Sequence, residues 1–356
     1  MIKSIKHLFK GEYPYLVKGD KPPISVKSNV DESILIDFFS ESLDFYNYLS
    51  KFMIVESEES YFLCYLIHHI IFDATSAGLF RRDLQVLLDG GSVDLDDTFL
   101  KTSAFSQQIK NTEKFMEASE FYRPILSDVG DVGELVPDNS SKGFTSSYYD
   151  LEFDKVAFKS FLNKAEISEN VLFTSVFTYS LSQFVDSDKV IFMLIENGRD
   201  RFKEDFIGMT SNVMTLVADC KDRSINSFME HMSHLVYGAS RYSYYPAIFL
   251  HQDHDFEVKT MFQFVPNWIA DDIESADVVE GTDVEELINQ VFDSYSDFLV
   301  DFGVQIYQYG ETYKLMIFNS NRYSDKMIKN FKDTYISVLS KIINAEMSSN
   351  LNDVFK

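Results

Sequence analysis

The sequence predicts an α/β protein in two lobes, each a sheet with helices packed on it. Three observations lead there. Apolar runs of strand character alternate with helical stripes through the second half of the chain. Turn-forming residues concentrate at 127–145, where Gly130, Gly133, Pro137, Asn139 and Ser140-Ser141 mark an inter-lobe linker. The chain's 356 residues also exceed the roughly 250–300 at which a single core stops growing. The lobes that follow are 1–140 and 141–356.

In order along the chain, a basic lead-in comes first. Residues 1–30 hold six lysines against Glu12 and Asp20. Ser60–Ile67 reads as a buried strand and leads into His68-His69-Ile70-Ile71-Phe72-Asp73. A helix follows, with Leu79, Phe80, Leu84, Leu87 and Leu88 on one face and Gly90-Gly91 to stop it. A second helix is expected over Ser106–Leu126. Beyond the linker, Ser146–Phe153 reads as a strand, and Asp154 can cap the helix after it. Ser168 opens a helix whose stripe is Leu172, Phe173, Val176, Phe177, Leu181 and Phe184. Lys189–Ile195 is nearly all apolar, as a strand buried on both faces would be. Ser224 opens a helix with Phe228, Met232, Leu235 and Val236. Val258–Val265 and a hairpin of Phe298–Tyr307 and Thr312–Asn319, broken at Gly310, add strands. A last helix near 324–343 carries Met327, Phe331, Tyr335, Leu339 and Ile342.

Composition excludes several classes. Apolar residues make up 45% of the chain, with 33 Phe and 20 Tyr, which a disordered acidic chain lacks. The 32 basic and 56 acidic residues give a net charge of −24, which argues against sequence-independent nucleic-acid binding and against an anionic membrane surface. Cys64 and Cys220 alone form neither a disulfide framework nor a cysteine zinc site. The apolar run Tyr61–Ile67 is too short to span a bilayer, and the first ten residues lack a signal-like apolar core, so a cytoplasmic protein is expected. Residues 271–301 hold eleven acids and no Lys or Arg, and read as a solvated face.

The informative stretch is the double histidine and aspartate between a strand and a helix. An imidazole there can take or hold a proton near neutral pH. A carboxylate four residues on can close the loop by hydrogen bonds or an ion pair, an orienting role. Ile70, Ile71 and Phe72 are expected to shield the site from water.

This HHxxxD segment resembles the condensation domains of nonribosomal peptide synthetases, members of the chloramphenicol-acetyltransferase-like fold. The resemblance continues in Ser103–Gln108 with Glu120–Leu126, in the helix Val171–Phe184, in Gly198-Arg199, in Ile207-Gly208-Met209-Thr210-Ser211-Asn212 and in Phe262–Asn267. It implies a V-shaped pseudo-dimer with a central tunnel, in which phosphopantetheine-tethered donor and acceptor meet. By resemblance His69 is the catalytic histidine, His68 is structural, and Asp73 holds the loop with Arg199 as its basic partner. Ala74, Gly78, Gly208, Asn212 and Asn267 would line the tunnel. No metal and no bound cofactor is implied, since the phosphopantetheine arm comes with the carrier protein. The implied partners are carrier proteins and adenylation modules, and the chain is expected to be a monomer.

Departures from the family pattern are specific. Ala74 replaces the usual glycine, which would cost roughly 1–2 kcal/mol if the backbone there needed positive φ. Thr210-Ser211-Asn212 stands where the family more often has Phe-Val-Asn, and the 67 residues before the histidines are fewer than the family's, so the first lobe is expected to lack its opening. Carrier proteins tend to be acidic, so docking is expected at the lysine-rich start, at Arg81-Arg82, or at Lys110 with Lys114.

Other motifs have plainer readings. His231-x-x-His234 and His251-x-x-His254 have ligand-like spacing without further ligands. Glu196 in Glu196-Asn197-Gly198-Arg199 reads as a strand-end residue rather than an epimerase acid, and Asp301-Phe302-Gly303 as strand. Against amide formation between carrier-tethered substrates stand two alternatives: a non-catalytic carrier-docking platform, and acyl transfer from a carrier or coenzyme A to a small alcohol or amine.

Overall fold

The computed structural model describes residues 5–9, 14–18, 21–28, 31–43, 47–56, 60–94, 98–99, 109, 112–127, 129, 132–141, 143–199, 205–221, 223–245, 258–267 and 300–355. The chain forms two compact units. The first comprises residues 1–107, 202–210 and 271–294; the second comprises 108–201, 211–270 and 295–356. Ser103–Gln108, Lys110, His251, His254, Phe298 and nearly all of the acidic 271–301 stretch lie outside the described residues.

In the first unit, β1 (Ile5–Phe9) and β2 (Pro14–Lys18) form an antiparallel pair. A separate three-stranded sheet joins β3 (Ile24–Ser28), β4 (Ser50–Glu56) and β5 (Tyr61–Ile67), with β4 in the centre. Helix α1 (Glu32–Ser40), capped by the Asp31 carboxylate on the Ile34 N–H, lays Leu35 against Met53, Val55 and Cys64. Helix α2 (Ala74–Leu88) presents Phe80 to Phe52 and Tyr65, at ring separations of 6.2 and 5.2 Å. None of the elements before β5 is expected from the sequence. The β4 run Ser-Lys-Phe-Met-Ile-Val-Glu is masked by Lys51, which is nonetheless buried and bonded to Glu41 at 2.7 Å.

The second unit is built on a six-stranded mixed sheet. Its strands are β6 (Phe144–Asp150), β7 (Lys189–Glu196), β8 (Asn212–Asp219), β9 (Thr260–Val265), β10 (Phe302–Tyr309) and β11 (Thr312–Ser320). They lie in the order β6-β11-β10-β9-β7-β8. The expected hairpin is present as β10–β11, turning at Gly310, whose φ of 58° suits glycine. Strand β7 is buried on both faces, as its apolar run predicts: Val190, Phe192 and Leu194 enter the main core, and Ile191 and Met193 a smaller one with Val258. Glu196 ends β7 and Asp301-Phe302-Gly303 leads into β10, as their plainer readings have it.

Helices α3 (Glu113–Leu126), α4 (Lys155–Ala165), α5 (Glu169–Ser182), α6 (Ile225–Arg241), α7 (Asp325–Asn344) and α8 (Leu351–Val354) belong to the same unit. Asp154, Ser168 and Ser224 cap α4, α5 and α6 through side-chain oxygens, as predicted. Helix α3 starts later than the expected Ser106, because Thr112 takes the Phe115 N–H as its cap. Helix α5 is also more than an amphipathic stripe. Its residues 171–181 are buried all round, and Ser175 and Thr178 satisfy their hydroxyls by donating to the carbonyls four residues back, both at 2.7 Å. Phe177 sits at the centre of this core, its ring 5.0 Å from that of Phe262 and 5.4 Å from that of Phe192. Residues 132–139 are stitched to this unit, with the Gly133 N–H donating to Lys189 at 2.9 Å and Asn139 to Arg322 at 2.8 Å.

Candidate active site

The site is assembled in the first unit, where β5 ends and α2 begins. His68 follows β5 with extended backbone, and its N–H donates to the Leu49 carbonyl at 2.8 Å. Its Nδ1 accepts the Ile70 N–H at 3.0 Å, so His68 caps a short 3₁₀ turn over His69–Ile71. His69 is exposed, and its Nδ1 lies 2.7 Å from the Phe72 carbonyl oxygen. A carbonyl only accepts, so this nitrogen carries the ring proton in the neutral ring and Nε2 carries the lone pair. The tautomer is therefore set by the turn itself.

The expectation that Ile70, Ile71 and Phe72 seal the site from water is modified by their packing. All three are half-buried, and Phe72 turns toward Phe80 and Tyr65, at ring separations of 6.2 and 6.4 Å. The Phe72 ring packs inward, while the His69 ring remains exposed.

Asp73 is buried and caps α2. Its Oδ1 accepts the Ser76 N–H and the Ser76 hydroxyl, each at 2.8 Å. Its Oδ2 accepts the Thr210 N–H at 3.0 Å and the Thr210 hydroxyl at 3.1 Å. Four donors and the positive end of the helix offset the cost of burying this carboxylate. The Ser76 oxygen also accepts the Gly208 N–H at 2.9 Å and lies 2.8 Å from the Gly208 carbonyl, so its one hydroxyl proton is shared between that carbonyl and Asp73. These hydrogen bonds join the turn to the start of α2 and to the 208–210 segment. Ser76 and Thr210 are partners of Asp73 that the sequence reading missed. Ser76 was legible in the cap spacing Asp73-Ala-Thr-Ser76; Thr210 carried no local signal.

The other predicted residues divide by unit. Ala74 is the first residue of α2, and among the described residues the non-glycine with positive φ is Glu166, so the alanine costs no backbone strain. Gly78 is buried within α2. Gly208 is required by close approach, since a Cβ there would fall 2.2 Å from the Phe99 ring. Arg199, Asn212 and Asn267 belong to the second unit. Asn212 donates both amide hydrogens, to Ser243 at 2.8 Å and Tyr245 at 2.6 Å, bracing β8 on the chain after α6. Asn267 holds the β10–β11 turn through the Gly310 N–H, and its own N–H donates to Gln308 at 3.2 Å. Arg199 follows Gly198, whose φ is 70°.

Of the candidate docking cations, Arg82 is paired with Asp205 at 3.3 Å on the surface, and Lys114 lies in α3. His231 is turned to structure: its Nε2 accepts the Asp219 N–H at 3.3 Å. Among the described residues no group of three or more His, Cys, Asp or Glu is placed to hold a metal, and no helix is long and apolar enough to cross a membrane.

Comparison with known proteins places this geometry. The family model of the condensation domain matches residues 29–353. No curated protein matches the chain. Among solved structures, the condensation domain from the Monacolin K polyketide synthase MokA superposes with a TM-score of 0.75 at 12% identity, covering 98% of this chain and 86% of that one. The epimerization domain from the third module of tyrocidine synthetase B gives 0.71 at 14%, covering 96% and 85%. The first condensation domain of the calcium-dependent antibiotic synthetase, in complex with a substrate analogue, gives 0.69 at 13%, covering 98% and 86%. At these identities the likeness establishes the fold, a mixed α/β chloramphenicol-acetyltransferase-like one.

Proposed function

The chain belongs to the condensation-domain family of amide-forming acyltransferases, and on that premise we propose that His69 is its proton acceptor and that both substrates arrive on the phosphopantetheine arms of carrier proteins. The observation that carries this reading is the 2.7 Å contact between His69 Nδ1 and the Phe72 carbonyl, which leaves the Nε2 lone pair directed away from the turn on an exposed ring.

The chemistry then runs as an acyl transfer. The neutral amine of the acceptor attacks the donor thioester carbonyl, forming the C–N bond. Nε2 of His69 takes a proton from the attacking nitrogen as positive charge develops there. The C–S bond breaks, and the thiolate leaves on the donor's arm, receiving that proton. Tethering supplies much of the rate, because two arms held at one point make a bimolecular step effectively intramolecular. Asp73 holds the turn, His68 caps it, and Arg199 is proposed as a further partner of Asp73. Gly78, Asn212 and Asn267 are proposed to border the substrate channel, Ala74 and Gly208 with them. No metal or resident cofactor enters the scheme. Adenylation modules would load the carriers, and the chain would work as a monomer in the cytoplasm.

The test is product analysis by mass spectrometry with the purified chain, an aminoacyl donor carrier and an aminoacyl acceptor carrier. An amide on the acceptor arm is expected. Carrier binding without product would replace this reading with a docking platform, and turnover of acyl-coenzyme A in the absence of carriers would replace it with small-molecule acyl transfer.

A further inference from the structure

Asp73 immediately follows Phe72, whose carbonyl fixes the His69 tautomer. Any swing of the Asp73 backbone therefore moves that carbonyl. Ser76 grips Oδ1 from within the same helix start, so its hold on the carboxylate moves with α2. Thr210 grips Oδ2 from a segment 137 residues away, with both its N–H and its hydroxyl, and is itself buried. That segment is tied to α2 a second time through Gly208 and Ser76.

We propose that Thr210 is a positioning residue for His69: by clamping the Asp73 carboxylate it holds the Phe72 carbonyl against Nδ1, keeping the ring proton there and the lone pair on Nε2. The inference rests on the reading of His69 as the proton acceptor. It assigns a purpose to the residue at which this sequence departs from the family's Phe-Val-Asn pattern. The threonine hydroxyl supplies a donor to a buried carboxylate, and a donor lost there is not replaced by water.

The experiment compares wild type with Thr210→Val, which keeps the shape and removes the hydroxyl, and Thr210→Ser, which keeps the hydroxyl. The ring nitrogens of His69, labelled with heavy nitrogen and assigned against His69→Ala, are read by NMR, and kcat and KM are measured with carrier-tethered substrates. Wild type and Thr210→Ser should show protonated Nδ1 and bare Nε2. Thr210→Val should show exchange between tautomers, with kcat lower by about tenfold or more and KM close to wild type. A wild-type ring signature in Thr210→Val overturns the proposal, as does Thr210→Ser failing as badly as Thr210→Val. Absence of product from the wild type counts against the functional reading alone, because the ring signature still decides the role of Thr210.

Discussion

His69 and Phe72 are joined by a 2.7 Å hydrogen bond between the imidazole Nδ1 and the main-chain carbonyl, three residues apart within one turn. A histidine oriented by its own backbone needs no separate carboxylate to set its tautomer. The Asp73 carboxylate accepts from Ser76 and Thr210.

Gly208 tests how tightly this arrangement is packed. A Cβ there would lie 2.2 Å from Cδ2 and 2.5 Å from Cγ of Phe99, near the root of the ring rather than at a flexible tip. Gly208→Ala should lower stability by about 1–3 kcal/mol in chemical denaturation and reduce turnover, because Gly208 must back away from Ser76. Wild-type stability and turnover in this variant would contradict the packing described.

His231 gives the second unit a pH dependence. Burial first, then the charge of Arg223, pulls its pKa down from 6.5 to about 4. Between those values the unfolded chain binds a proton that the folded one refuses, so stability falls as pH drops. The contribution is complete above the unfolded value and is lost as pH falls through about 4. His231→Asn offers an acceptor to the Asp219 N–H without titrating. From about pH 7 to about pH 5, wild type should lose more stability than this variant in urea titrations. Parallel losses would show that the ring does not carry the effect.

Phe177 tests the core that the sequence located. It is fully buried, with the rings of Phe192, Phe262 and Phe331 at 5.4, 5.0 and 6.2 Å. Phe177→Ala should cost about 3–5 kcal/mol, read as a lower denaturation midpoint. A loss below about 1 kcal/mol would mean that the helix is not the centre of the unit.

Much of the second unit was legible because its signals are local. Asp154, Ser168 and Ser224 cap helices where their spacing says they should, and the apolar run at Lys189–Ile195 is buried on both faces. Helix α5 looked like a stripe because its Ser and Thr residues read as polar, yet Ser175 and Thr178 bond their hydroxyls back to the helix and are buried with it. The first unit was harder to read. Lys51 interrupts β4 with a charge that Glu41, ten residues earlier, neutralises. The histidine turn itself was legible from its residue types, whereas Thr210 was not, since nothing near position 210 in the sequence points to a carboxylate 137 residues earlier. For Ala74 the sequence left the cost open, and the structure decides it: the residue opens a helix with negative φ and carries no backbone strain.

The most direct test of the central claim is the turnover of His69→Ala with both substrates on carrier arms, alongside a thermal melt. Loss of a proton acceptor in a tethered reaction should lower kcat by about a hundredfold or more while the melting midpoint stays near wild type, because the ring is exposed. Undiminished amide formation by the folded variant would contradict the account.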